Sequence, residues 1–157
     1  MSVIFEGVDG IGKTTKALKL LNEDFHQLKI VHYIHNWVKP KKEIDSRSEV
    51  TKEILLLTNP IQLILDRSFI ISEFVYASVL NRKSYLTFED VKNLIDMINK
   101  YEHVIHLMYY KDIKVLKYKN EDSKLPHDDL NSFYIDLLMN RLSINHLIVE
   151  LVEDRRN

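Results

Sequence analysis

The chain has 157 residues, which suits one domain able to bury roughly 70% of its unfolded surface, and its composition (45% hydrophobic, 29% charged) is ordinary for a soluble globular protein. Lysine plus arginine (22) nearly balances aspartate plus glutamate (23), so bulk charge gives no reason to expect nucleic acid or an anionic membrane as a partner. There is no cysteine, which excludes disulfides, thiolate nucleophiles and cysteine zinc sites and fits a reducing cytoplasm; no stretch approaches the ~18 apolar residues of a membrane span, and the N-terminus lacks the regions of a signal peptide.

Residues 2–6 read as a short buried strand, followed by a loop that contains glycine. From Lys13 to about Asn22, Ala17, Leu18 and Leu21 fall at helical spacing, with Lys16 and Lys19 turned outward. Lys29–His35 is β-rich and predicts a second strand. Asn36–Asp45 is polar and broken by Pro40. Glu49–Leu57 predicts a helix that ends near Asn59-Pro60, and Ile61–Leu65 a third strand. Ser68–Leu80 reads as a helix. Thr87 has the character of an N-cap, with Glu89 and Asp90 in the first turn of a helix carrying Val91, Leu94, Ile95 and Ile98.

His103–Met108 predicts a fourth strand and Lys111–Lys119 a short helix. Asn120–His127, with Pro126, reads as an exposed loop. Asp128 and Asp129 open a further helix through Leu130, Tyr134, Leu137 and Leu138. Leu147–Val152 forms a candidate fifth strand, and Glu153–Asn157 a frayed tail. Strands alternate with helices throughout, which predicts a single α/β domain over 1–157 with a parallel sheet covered on both faces.

The glycines concentrate this reading. The chain has three, and they are Gly7, Gly10 and Gly12. Gly7-Val-Asp-Gly-Ile-Gly12-Lys13-Thr14 satisfies G-x-x-x-x-G-K-[ST], a loop whose backbone N–H groups curl round an anion at a helix N-terminus. Lys13, expected on an exposed loop, would reach the β- and γ-phosphates of ATP, and the Thr14 hydroxyl would ligate Mg²⁺. Gly7, Gly10, Ile11, Gly12, Lys13, Thr14 and Thr15 are the candidate nucleotide-binding residues. The histidine pairs 32/35 and 103/106 have odd spacing on strands, so their members face opposite ways and neither makes a metal chelate.

Phe5-Glu6-Gly7-Val8-Asp9-Gly10-Ile11-Gly12-Lys13-Thr14-Thr15 resembles the opening of thymidylate kinases, F-E-G-x-D-G-x-G-K-T-T. Leu65-Asp66-Arg67-Ser68 is similar to the Asp-Arg motif of that family and to the Glu-Arg-Ser motif of deoxynucleoside kinases. Ser72-Glu73 and Val75-Tyr76 resemble phage-type members of the group. Beyond residue 82 only the architecture agrees.

The resemblance implies a nucleoside-monophosphate-kinase-like fold with a five-stranded parallel sheet and a short lid at about 112–127. It implies ATP and Mg²⁺ as cofactors, small nucleotides as substrates, and transfer of the γ-phosphoryl group to a monophosphate, dTMP first. A homodimer is compatible with it. By position, Asp9 would face the sugar 3′-hydroxyl, Asp66 would hold Mg²⁺ through water, and Arg67 would bind the acceptor phosphate and the transferring group. Phe69, Tyr76 and Trp37 would line the base pocket.

Two departures from the family pattern stand out. Where thymidylate kinases carry Arg-Glu-Pro-Gly-Gly, this chain reads Asn36-Trp-Val-Lys39-Pro40-Lys41-Lys42, so Lys39 is the nearest substitute for the arginine. The lid segment offers Lys114, Lys117, Lys119 and Lys124 but no arginine, which makes Lys117 and Lys119 the candidate catalytic cations beside Lys13 and Arg67. Two alternatives follow. A deoxynucleoside kinase would phosphorylate a 5′-hydroxyl, and a degenerate relative would bind nucleotide without turnover.

Overall fold

A computed structural model describes residues 2–26, 32–35, 42–59, 62–111 and 126–153. Five strands form one sheet in the order β2-β3-β1-β4-β5, with every adjacent pair parallel. They are β1 (Val3–Glu6), β2 (His32–His35), β3 (Leu63–Asp66), β4 (Val104–Tyr110) and β5 (Leu147–Val152). The helices are α1 (Lys13–His26), α2 (Glu43–Thr58), α3 (Phe69–Val79), α4 (Phe88–Lys100) and α5 (His127–Ile135), the last running into a π-helical segment, Asp136–Arg141. The five-stranded parallel α/β sheet read from the sequence is therefore present. The segment read as a lid lies outside the described residues apart from Pro126 and His127.

Side-chain alternation along β1 shows that helices lie on both faces. Glu6 reaches Ser72 on α3. Its neighbour Phe5 must then point the other way, where its ring lies 5.0 Å from that of His106. His106 Nε2 is 3.1 Å from Glu150 of β5, and Glu150 pairs with Lys16 of α1 at 2.8 Å. So α1 covers one face and α3 the other. Ile4, Phe5, Ile64, Leu65, Ile105 and Leu107 fill the centre at 0–1% exposure.

Helix α3 is the most deeply placed. Eight of its residues, including Ser72 and Glu73, are buried, as expected of a helix that is apolar nearly all round. Helix α4 starts at the predicted cap: the Asp90 N–H donates to Thr87 Oγ1 (3.3 Å) and the Thr87 N–H to Asp90 Oδ2 (2.8 Å), a capping box. Arg47 of α2 clamps the same Asp90 with two N–H groups at 3.0 and 2.7 Å, tying α2 to α4. Helix α2 begins at Glu43 rather than Glu49, with Glu43 and Asp45 in its first turn complementing the helix dipole. In an open parallel sheet, ligands bind beyond the carboxyl ends of the strands where connections diverge. Here that point is the end of β1, flanked by β3 and β4.

Candidate functional site

The loop between β1 and α1 is built on backbone that L-residues avoid. Gly7, Gly10 and Gly12 have φ of +148°, +80° and +103°. Gly7 is doubly constrained, because a Cβ there would meet the Met108 carbonyl oxygen of β4 at 2.5 Å. Val8 and Ile11, 0% and 3% exposed, anchor the loop in the core, while Gly10, Gly12, Thr14 and Thr15 face solvent. The first turn of α1 contains no acidic residue, so its partial positive charge is not cancelled from within.

Lys13 is not the exposed loop lysine expected from sequence. It is 5% exposed, and its Nζ donates to the Gly7 and Val8 carbonyls at 2.8 and 2.7 Å, bracing the loop from beneath. Burial pushes its pKa down to about 7, and the nearby Arg67 charge adds to the shift.

Asp66 ends β3 beside the loop, where its Oδ2 accepts a hydrogen bond from the Thr14 hydroxyl. Arg67 follows in the left-handed region, with φ of +84°, a conformation that costs a non-glycine residue ~1–2 kcal/mol. That turn aims its side chain back at the phosphate loop. The guanidinium bonds Asp9 Oδ1 and lies 5.4 Å from the centre of the Tyr76 ring. The Tyr76 hydroxyl accepts a hydrogen bond from the Asp9 N–H at 3.2 Å. Burial raises the Asp9 pKa, but the Arg67 charge and hydrogen bond outweigh it and hold the carboxyl below its usual range. Burial pushes the Tyr76 phenol up to about 12, so it stays protonated.

The start of α3 is satisfied by the protein's own side chains. The Ser68 N–H donates to Glu6 Oε1 at 2.6 Å. The Phe69 N–H donates to Glu53 Oε1 (2.8 Å) and the Ile70 N–H to Glu53 Oε2 (3.2 Å). The Ile71 N–H donates to Ser68 Oγ (3.2 Å), and Ser68 Oγ donates to Glu53 Oε2 (2.8 Å). Each of these first-turn donors has a partner. The second oxygen of Glu6 accepts from Ser72 Oγ at 2.8 Å, and that hydroxyl is 2.9 Å from the Tyr134 hydroxyl of α5. Burial pushes the Glu6 and Glu53 carboxyls up to about 7, against the pull of these hydrogen bonds and, for Glu6, of Arg67.

The fold thus brings together Gly7, Asp9, Gly10, Ile11, Gly12, Lys13, Thr14, Thr15, Asp66 and Arg67. Phe69 and Tyr76, read as base-pocket residues, are 4% and 3% exposed and belong to the core. Their two rings are enclosed, whereas Phe74 on the same helix is half-buried. Trp37, Lys39, Lys117 and Lys119 lie outside the described residues. Among the described residues, no cluster of three acidic, histidine or cysteine side chains could hold a metal ion by itself, and no helix is long and apolar enough to cross a membrane.

Sequence reasoning assigned no role to Glu6, Glu53, Ser72 or Tyr134. Glu53 did leave a signal, since it occupies the buried stripe Ser46, Val50, Glu53, Leu57 of α2. An acid in such a stripe needs an internal partner.

No protein-family model matches the chain, and no curated protein matches it. Solved structures do. One, assigned as a polyphosphate kinase 2 from Pseudomonas aeruginosa PA01, aligns with 98% of this chain at 18% identity and a TM-score of 0.54. The chain spans only 34% of that protein. Another, a deoxyadenosine kinase from M. mycoides with products dCMP and dCDP bound, aligns with the whole chain and 92% of its own length, at 14% identity and a TM-score of 0.54. At these identities the likeness is one of fold.

Proposed function

We propose that this protein is an ATP-dependent nucleoside monophosphate kinase, with dTMP to dTDP the first reaction to test. The observation that carries this reading is the placement of Arg67. A buried guanidinium is turned by a left-handed backbone onto the phosphate loop, beside Asp9. Deoxynucleoside kinases carry an arginine in the matching motif too, so what favours a monophosphate is Asp9 beside this cation, together with Asn36 and then lysines, in place of a general-base glutamate, after the second strand. A monophosphate acceptor arrives as an anion and has to be held against the triphosphate's own charge.

Phosphoryl transfer asks mainly for alignment and charge stabilisation, and the residues present can supply both. The loop from Gly7 to Thr14, continued by Thr15, offers backbone N–H groups at the unneutralised start of α1. Lys13, already inside the loop, would exchange its carbonyl partners for phosphate oxygens. Arg67 would bind the acceptor phosphate, and Asp9 would release it to meet the acceptor's 3′-hydroxyl. Tyr76 keeps Asp9 and Arg67 in register from below.

Thr14 and Asp66 fit Mg²⁺. Their touching hydroxyl and carboxylate oxygens are hard donors of the kind that ion takes. A bound Mg²⁺ would neutralise charge on the β- and γ-phosphates.

The likeness to a deoxyadenosine kinase over nearly its full length supports a second reading, phosphorylation of a deoxynucleoside 5′-hydroxyl. That chemistry benefits from a general base. Asp9 is a poor one, because its carboxyl is held below the usual range, and Glu6 is wholly enclosed. The test is Mg-ATP against a panel of nucleosides and monophosphates with products resolved. Conversion of dTMP to dTDP is expected. Conversion of thymidine but not dTMP would establish the second reading. ATP binding with no transfer to any acceptor would leave a nucleotide-binding protein without turnover.

A further inference from the structure

We infer that Glu6 is a positioning residue: it locks the backbone on the far side of Arg67 and so fixes where the Arg67 guanidinium points. The inference deepens the kinase reading above, and its activity arm rests on that reading. Arg67 is flanked by two peptide groups, and both are tied to consecutive residues of β1. On one side the Arg67 N–H donates to the Phe5 carbonyl at 2.9 Å. On the other, the Ser68 N–H donates to Glu6 Oε1 at 2.6 Å. The first tie is the last rung of the pairing of β1 with β3, closing the Phe5–Asp66 pair. The second fixes the peptide that leaves Arg67 in the conformation with φ of +84°, which an L-residue keeps only when its surroundings over-determine it.

Glu6 is itself held still. It is 0% exposed, and its other oxygen accepts from Ser72 Oγ, which also contacts the Tyr134 hydroxyl. With no exposed surface, Glu6 does not touch substrate; it reaches the site through the Ser68 peptide that leaves Arg67 and, by charge alone, through Lys13. Glu53 works on the next stretch of chain, receiving Ser68 Oγ and the Phe69 and Ile70 N–H groups. With these donors taken by internal carboxylates, the start of α3 does not bind the acceptor anion through its backbone. That work passes to the Arg67 side chain, so its direction matters.

The test is a double-mutant cycle between Glu6→Ala and Arg67→Ala, with kcat and the two KM values measured separately. Each single change is expected to lower kcat at least about tenfold, with the KM for ATP little altered. The double variant should be no slower than Arg67→Ala, because a residue acting through another adds nothing once that one is gone. Glu6→Gln keeps an acceptor oxygen toward Ser68 and should recover kcat to within about threefold of wild type. Multiplying losses, or unchanged kcat in folded Glu6→Ala, would overturn the inference.

A crystal structure of Glu6→Ala decides the same point without turnover. Arg67 should leave the left-handed region and part from Asp9; Arg67 unmoved refutes the role of Glu6. Should Glu6→Ala fail to fold, Glu6→Asp, one methylene shorter, carries both arms. A wild-type protein that transfers phosphate to no acceptor refutes the kinase reading alone, and the crystallographic arm still judges Glu6.

Discussion

The carboxyl ends of β1 and β3 hold Glu6, Asp66 and Arg67 at 0%, 1% and 7% exposure, whereas the edge strand β5 leaves Ile148, Val149 and Leu151 between 38% and 50% exposed. Charge is inside and hydrocarbon outside, the reverse of what transfer free energies favour. The two departures are not equivalent. An exposed isoleucine forgoes ~1.5–3 kcal/mol of burial, and apolar atoms cover much of any protein's surface. A buried charge without partners costs far more. The centre of the sheet tolerates its charges because each is engaged, and among the described residues no buried side-chain nitrogen or oxygen lacks a hydrogen-bond partner. Such a network has to be accounted for by function or fold specificity; the edge does not.

The largest effect should come from Lys13→Ala. It removes a cation from the phosphate site and a donor from the Gly7 and Val8 carbonyls. Phosphoryl transfer should fall ~10²–10³-fold, the scale for losing one preorganised charge-stabilising group. Because the lysine is buried, stability should also fall by ~1–2 kcal/mol, which circular dichroism melts would register. A folded variant that transfers phosphate at the wild-type rate would remove Lys13 from the chemistry and weaken the contrast between centre and edge.

Glu53→Gln separates the cost of buried charge from its use. Burial raises the Glu53 carboxyl from 4.5 to about 7 in the folded state. Between those values the unfolded chain has released the proton while the native protein keeps it, so stability falls as pH rises from about 4.5 to 7 and then levels off. The full swing corresponds to about 3 kcal/mol. Gln carries no titrating proton, so urea midpoints of wild type and variant should draw apart across that pH range, wild type losing ground as pH rises. Parallel curves would show that Glu53 titrates with its ordinary value in the native protein.

Tyr76→Phe should act less strongly. The ring stays beneath Arg67, and only the hydroxyl that receives the Asp9 N–H is lost. About 1 kcal/mol of stability is expected, with at most a few-fold loss of kcat. A hundredfold loss would mean that the phenol touches substrate.

How much of this was legible in the sequence follows the same division. The phosphate loop could be read because its chemistry demands residue types, glycine at positive φ and then lysine and threonine. The Thr87 cap could be read because its partner Asp90 is three residues away. The sheet followed from alternation. Arg67 at φ of +84° could not be foreseen, since the usual marker of that backbone is glycine or asparagine. The start of α2 at Glu43 was also hidden, because Lys42 makes no side-chain cap. The partnerships of Glu6 with Ser68 and Ser72, and of Glu53 with the start of α3, join separate elements. Their presence was signalled by acids in buried positions, but their partners were set by tertiary packing.

The smallest effect is expected from Ile148→Thr on β5, set against Ile105→Thr on the neighbouring β4. Both residues are strand isoleucines, and both replacements keep the β-branch that suits a strand. Ile105 is 0% exposed on an inner strand, whereas Ile148 is 50% exposed on the edge strand. At 105 the new hydroxyl is enclosed and a methylene of packing is lost, for ~2–4 kcal/mol in all. At 148 the hydroxyl meets water, and the change should stay within about 0.5 kcal/mol. Urea midpoints at unchanged m-value measure both, and transfer kinetics of Ile148→Thr should match wild type. A cost at 148 approaching that at 105 would mean that the edge of β5 is covered in solution, and a midpoint that also moved with protein concentration would identify the cover as a second copy of the chain.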